Sequence, residues 1–155
     1  MKKSLNLLSV CWIVFTVFIV FAACSKDNTT PPVQALTRTQ VLTKYTWQVD
    51  EVWRNLSGTN THYVRNGVNT TGTTYNLMRL IFKADSTGTY VDEVGTSHAT
   101  TWKFTSADQH NLQLNIGAPY ATTFNWAMVE ISDSTVTSTT PGTNSMVAAR
   151  FVPVQ

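Results

Sequence analysis

The chain has 155 residues, of which 43% are apolar and only 13% charged, with a formal net charge of +2. So small a positive excess provides no dense basic patch, and a nucleic-acid partner is not expected. The two cysteines are the most that could form a disulfide, and their positions exclude even one, as the first segment shows.

Met1-Lys2-Lys3-Ser4 gives a positive start, and Leu5 to Ala23 follow without a charge. That is the layout of a secretory signal. The run also approaches the roughly 20 apolar residues of a spanning helix, so an uncleaved anchor is the competing reading. Ala22-Ala23 separates the two, because signal peptidases need small side chains just ahead of the cut. Val20-Phe21-Ala22-Ala23-Cys24 resembles a bacterial lipobox, in which the cysteine is diacylated, the leader removed and the new terminus acylated again. Residues 1–23 are then a lipoprotein signal peptide and Cys24 is the lipid anchor, not a catalytic thiol. Each buried CH₂ contributes about 0.8 kcal/mol, and two or more acyl chains hold a protein stably on a bilayer. Cys11 follows bulky Val10 inside the apolar run and leaves with the leader, so no intramolecular disulfide remains. Lys2 and Lys3 leave too, and nine basic residues then balance nine acidic ones.

Residues 24–35 read as a flexible tether, with Thr29-Thr30-Pro31-Pro32 an extended, solvated spacer. An outer-membrane lipoprotein is expected, on the periplasmic face or at the cell surface. Lys26-Asp27 looks like part of the surface-export signal of Bacteroidetes lipoproteins, and an ordinary polar tether is the alternative.

Residues 36–155 have the size of one domain. Thr37 and Gln40 form a capping box that opens a short helix to about Lys44, with Leu36 and Val41 placed as a hydrophobic staple. From Tyr45 the period becomes two, so Trp47, Val49, Glu51 and Trp53 are expected on one face of a strand. Further strands are expected over Thr61 to Arg65, Tyr75 to Lys83, Thr89 to Val94, Ala99 to Thr105, Leu112 to Ile116, Thr122 to Ile131, Thr135 to Thr139 and Met146 to Val154. Turn signals divide them, among them Asn66-Gly67, Asp85-Ser86-Thr87-Gly88, Ser132-Asp133-Ser134 and Pro141-Gly142. Short loops between neighbouring strands imply an antiparallel meander. Such a meander hides its edges by closing, so a small up-and-down β-barrel preceded by one short helix is the expected all-β fold. A β-sandwich is the alternative. The inward candidates are Leu80, Phe82, Tyr90, Trp102, Phe104, Leu112, Leu114, Val129 and Ile131.

The order "LTKYTWQV", "LIFKADSTGTYV", "TTWKFTSADQHNLQLNI", "MVEISDSTVTSTT" resembles the lipocalin-like lipoproteins of Bacteroidetes. In that family a tryptophan opens the first strand, and a phenylalanine-turn-Gly-Thr-Tyr hairpin lies in the middle. The resemblance implies a lipocalin-like barrel.

No catalytic constellation stands out. Gly-x-Ser-x-Gly is absent, and Asp92 and Glu93 are adjacent on a strand and point to opposite faces. No enzyme activity and no cofactor are therefore expected. His62, His98 and His110 match no metal-ligand spacing and are expected at the surface or at strand ends. Trp47, Glu51, Trp53, Tyr90, Trp102 and Phe104, with Trp126, could line a pocket for a small apolar or glycan-like ligand. Inward and outward readings of Glu51 are both open. A barrel this small can equally be filled by its own side chains. It would then act as an interaction accessory or inhibitor module of an envelope complex, through its exterior and the loops Asn55 to Thr61 and Val68 to Thr74. A monomer is expected. Asp85-Ser86-Thr87 and Asp133-Ser134-Thr135 look like the O-glycosylation acceptor of Bacteroidetes, and are also ordinary turn chemistry.

The anchor reading predicts a mature species that lacks residues 1–23 and carries acyl chains on Cys24. Intact-mass measurement of the membrane fraction tests it, and a mature form that still begins at Met1 contradicts it.

Overall fold

The computed structural model of the protein describes residues 34–155. The expected signal peptide, Cys24 and the tether up to residue 33 lie outside the described residues. Helix α1 (Arg38–Lys44) starts at the capping box read from the sequence. Thr37 Oγ1 accepts from the Gln40 amide at 3.2 Å, and Gln40 Oε1 accepts from the Thr37 amide at 2.8 Å. Seven residues are too few for a helix to hold alone, so packing must supply the rest. Val41 and Leu42 are buried, and α1 lies against strands of the sheet.

Those strands are β1 (Thr46–Leu56), β2 (Thr59–Val64), β3 (Arg79–Phe82), β4 (Thr87–Val91), β5 (Ser97–Phe104), β6 (Leu112–Ile116), β7 (Thr122–Ile131), β8 (Val136–Gly142) and β9 (Ser145–Pro153). From β3 to β9 each strand pairs antiparallel with the next, and β1 pairs with both β3 and β9. The result is a closed up-and-down barrel of eight strands, β1 and β3 to β9, preceded by the short helix. The sandwich alternative is not adopted.

β2 is not a stave of the ring. β1 gives one whole edge to β9, from Trp47 to Leu56. Its other edge is divided: Thr46 to Gln48 pair with β3, and Glu51 to Leu56 pair with β2. The segment Asn55 to Thr61, expected as a loop, is the tip of this β1–β2 hairpin. It turns at Ser57-Gly58, both with left-handed φ, of 51° and 86°. Asn66-Gly67 makes no primed turn, because only Asn66 is left-handed, at φ 60°. The expected strand from Tyr75 begins only at Arg79, and Tyr75 to Met78 form a turn closed by the Met78 amide on the Tyr75 carbonyl at 3.2 Å.

The register of β1 against β9 slips between Val49 and Glu51. One extra residue reverses the facing of all that follows, because side chains alternate with period two. Trp47 and Val49 point into the barrel, then Val52 does, and Trp53 is turned outward with 45% of its surface exposed. The expectation that Glu51 and Trp53 share a face with Trp47 is therefore corrected. A bulge frees carbonyls from the ladder, and a freed carbonyl needs another partner. Arg65 supplies it, with Nε donating to the Val49 carbonyl at 2.6 Å and its amide to the Asp50 carbonyl at 2.8 Å. The same guanidinium reaches the Asn76 carbonyl at 3.2 Å, tying the bulge to the turn ahead of β3.

β7 repeats the device. Its register slips between Ala127 and Glu130, Met128 takes φ 50°, and Trp126 and Val129 both face inward across the irregularity. The Arg38 guanidinium of α1 donates to the Val129 carbonyl. Helix and bulge thus hold each other.

One end of the barrel is solid. Trp47, Leu112, Val129 and Val136 are fully buried beneath α1, and Trp47 Nε1 donates to the Leu42 carbonyl at 2.8 Å. Phe82 and Phe104 meet Trp102 edge-on at 5.5 and 5.7 Å between ring centres. Gly88 lets β3 and β4 approach there, since a Cβ would collide with the Ile81 carbonyl and the Thr100 hydroxyl. Of the other inward candidates, Leu80, Phe82, Tyr90, Trp102, Leu112 and Leu114 are buried, and Phe104 and Ile131 pack at the margin of the core.

Trp47→Ala is expected to cost about 3–5 kcal/mol, as for large core residues generally. Trp53→Ala, six residues further along the same strand, should cost clearly less, about 1 kcal/mol, because nearly half of that side chain is already exposed. Urea unfolding of the two variants checks the bulge, and equal losses would contradict it.

Candidate ligand-binding cavity

Toward the end of the barrel away from α1 the interior is not filled. The cause is local: β8 and β9 turn small side chains inward there, in the facing pairs Ser138 with Ala149 and Thr140 with Val147. A cavity of about 210 Å³ results, opening between the strand ends that carry Arg54, Glu93, Phe124 and Thr140. Its walls are apolar and aromatic, with Leu80, Leu114, Tyr90, Phe124, Trp126 and Phe151 among them. Trp126 and Phe151 lie nearly parallel at 5.2 Å between ring centres.

A few polar groups interrupt this surface. Arg54 faces inward because of the β1 bulge, and its Nη1 donates to the Tyr75 hydroxyl at 3.2 Å. Glu93, in the turn between β4 and β5, lines the same cavity. Among the described residues neither Arg54 nor Glu93 forms an ion pair. Burial pushes the Tyr90 phenol up, and the nearby Glu93 carboxylate pushes it further, so Tyr90 is neutral at physiological pH.

Glu93 is held in place by its neighbour. Asp92, expected on a strand beside Glu93, lies just past the end of β4 and is only 2% exposed. Its Oδ1 accepts from the Val94 amide at 3.0 Å and the Thr96 amide at 2.8 Å, fixing the β4–β5 turn. Its Oδ2 is 3.0 Å from His98 Nε2 and accepts from the Tyr120 hydroxyl at 3.2 Å. His98 and Tyr120 rings meet edge-on at 4.6 Å. The His98 hydrogen bond, followed by the two backbone amides and Tyr120, holds the Asp92 carboxyl below the usual carboxylate range against the opposing effect of burial.

Of the six side chains expected to contact a ligand, the structure brings only Tyr90 to the cavity wall. Trp47 and Trp102 belong to the solid end, and Phe104 lies beside Trp102. Glu51 and Trp53 are on the outside, because the bulge turned them there. Trp53 stacks on His62 at 5.0 Å, and Glu51 binds His62 at 2.8 Å and Arg150 at 3.0 Å. Arg54, Tyr75, Glu93, Phe124 and Phe151 were not anticipated. Trp126 was, as part of the aromatic set.

Of the histidines, only the buried His98 departs from the expected surface or strand-end placement. His98 is buried against Asp92, while His62 and His110 are partly exposed beside Glu51 and Glu130. Asp85-Ser86-Thr87 and Asp133-Ser134-Thr135 both occupy exposed hairpin turns. In the first, Asp85 Oδ1 accepts from the Thr87 amide at 3.0 Å and the Thr87 hydroxyl at 2.6 Å, which is turn chemistry.

Comparison with known protein families, with curated proteins and with solved structures finds no match to this chain.

Asp92 titrates lower in the folded protein than in the unfolded chain, so its stabilising effect is complete above the ordinary carboxylate range. It is lost as pH falls through the lower folded value. Thermal melts of wild type and Asp92→Asn should therefore differ most near neutrality and converge in acid. A gap that stayed constant with pH would contradict this account.

Proposed function

We propose that this protein is a lipid-anchored cell-envelope protein of the lipocalin-like kind that takes a small, largely apolar ligand into its barrel. The observation that carries the reading is the cavity at one end of a barrel whose other end is solid. An apolar void of about 150 Å³ is already enough to bind benzene. Pockets for drug-sized ligands measure about 300–1,000 Å³. At about 210 Å³, this cavity suits a single ring with a short substituent. Long acyl chains and fused-ring pigments exceed it.

The solid end and the cavity have different consequences for ligand entry. Trp47, Trp102 and α1 leave no route from below, so a ligand enters between Arg54, Glu93 and Phe124. Acyl chains on Cys24 would keep the domain at the outer membrane, on a tether that ends at α1. The lipobox, the polar tether and the order of the strand motifs support this placement.

Titration calorimetry of the purified full chain with toluene tests the reading. Saturable binding at one site is expected, and its loss in Ala149→Leu, whose longer side chain reaches into the void. Absence of toluene binding to the wild type would overturn it.

A further inference from the structure

The ligand reading leaves two charges unexplained. An apolar cavity of this size does not need Arg54 and Glu93 on its wall, and an uncharged ligand closing the mouth would strip water from both without replacing it. The usual resolution, a salt bridge between them, is not made. Among the described residues the Arg54 guanidinium donates to the Tyr75 hydroxyl and to no carboxylate. Arg54, Tyr75, Tyr90 and Glu93 all line the one cavity. The positions are also fixed from behind. Arg65 ties the β1 bulge to the Tyr75–Asn76 segment, and Asp92 clamps the turn that carries Glu93.

A fixed cation and a fixed anion, unpaired with each other, at the mouth of one aromatic pocket are complementary to a ligand of opposite pattern. We propose that the cavity binds a small zwitterion with a large apolar side group, of the phenylalanine kind. Its carboxylate sits on Arg54, its ammonium on Glu93, and its ring lies among Phe124, Trp126 and Phe151. The guanidinium accommodates a carboxylate through two parallel N–H donors, and a carboxylate accepts from an ammonium in a charge-assisted bond. The apolar body alone would give affinity with little selectivity. The pair of charges adds the selectivity.

This rests on the ligand reading above, and a ligand series separates the two. The full chain is titrated with phenylalanine, with 3-phenylpropionate, which lacks the ammonium, with 2-phenylethylamine, which lacks the carboxylate, and with toluene, which lacks both. Phenylalanine should bind about tenfold or more tightly than either one-charge analogue, since hydrogen bonds to charged groups are the strong ones. In Glu93→Gln the preference for phenylalanine over 3-phenylpropionate should disappear, and in Arg54→Gln the preference over 2-phenylethylamine. If toluene binds and phenylalanine is no tighter than both analogues, the zwitterion proposal is overturned and the cavity reading stands. If toluene does not bind, the cavity reading falls and the zwitterion proposal with it. The wild-type series decides the matter even where a variant folds poorly.

Discussion

The bulge at Asp50 is the constraint on which the site depends. β1 is shared among three partners, and no straight strand can serve β3 and β2 on one edge while running along β9 on the other. The extra residue bends β1 at the point where its partner changes and reverses the facing of everything after it. Trp47 therefore enters the solid end of the barrel, while Arg54 enters the cavity at the other. Without the slip, Trp53 would occupy the interior and Arg54 the surface.

Each bulge comes with an arginine. Arg65 takes the carbonyls released in β1, and Arg38 takes the Val129 carbonyl released in β7. Unpaired carbonyls away from water cost roughly 1–3 kcal/mol apiece, more than a typical surface ion pair contributes. These arginines are better understood as partners of the backbone than as surface charges. Arg38 also has an ion pair with Glu130 at 3.6 Å, but Glu130 is well exposed and that contact adds little.

The two ends of the barrel differ through side-chain volume, not through strand geometry. At the helix end, indoles and branched aliphatics meet across the axis and α1 covers them. At the other end the inward residues of β8 and β9 are small, and the rings opposite cannot reach across. Close packing is the rule in protein interiors, so a persistent void beside a well-packed region marks a place where filling was not the requirement. The Asp92–His98–Tyr120 cluster supports the rim beside that void, spending a buried carboxylate to hold one turn. A rim positioned this firmly suits recognition by geometry and charge.

Much of the fold was legible in the chain. Strand alternation from β3 onward, the capping box at Thr37, the hairpin turns and the need to hide sheet edges all follow from local rules, and they lead to a closed barrel with one short helix. The candidate site was not legible to the same degree. Alternation placed Glu51 and Trp53 beside Trp47 because nothing in Val49-Asp50-Glu51 announces an inserted residue. The bulge exists only because β1 has to change partners, which is a property of the assembled sheet. His98 and Asp92 likewise read as ordinary polar residues until the β4–β5 turn and Tyr120 close around them. By itself the sequence determined which residues alternate and where the chain must turn. Only the closed barrel decided which faces point inward, where volume is lacking and which charges stand at the opening, because those depend on partners far apart in the chain.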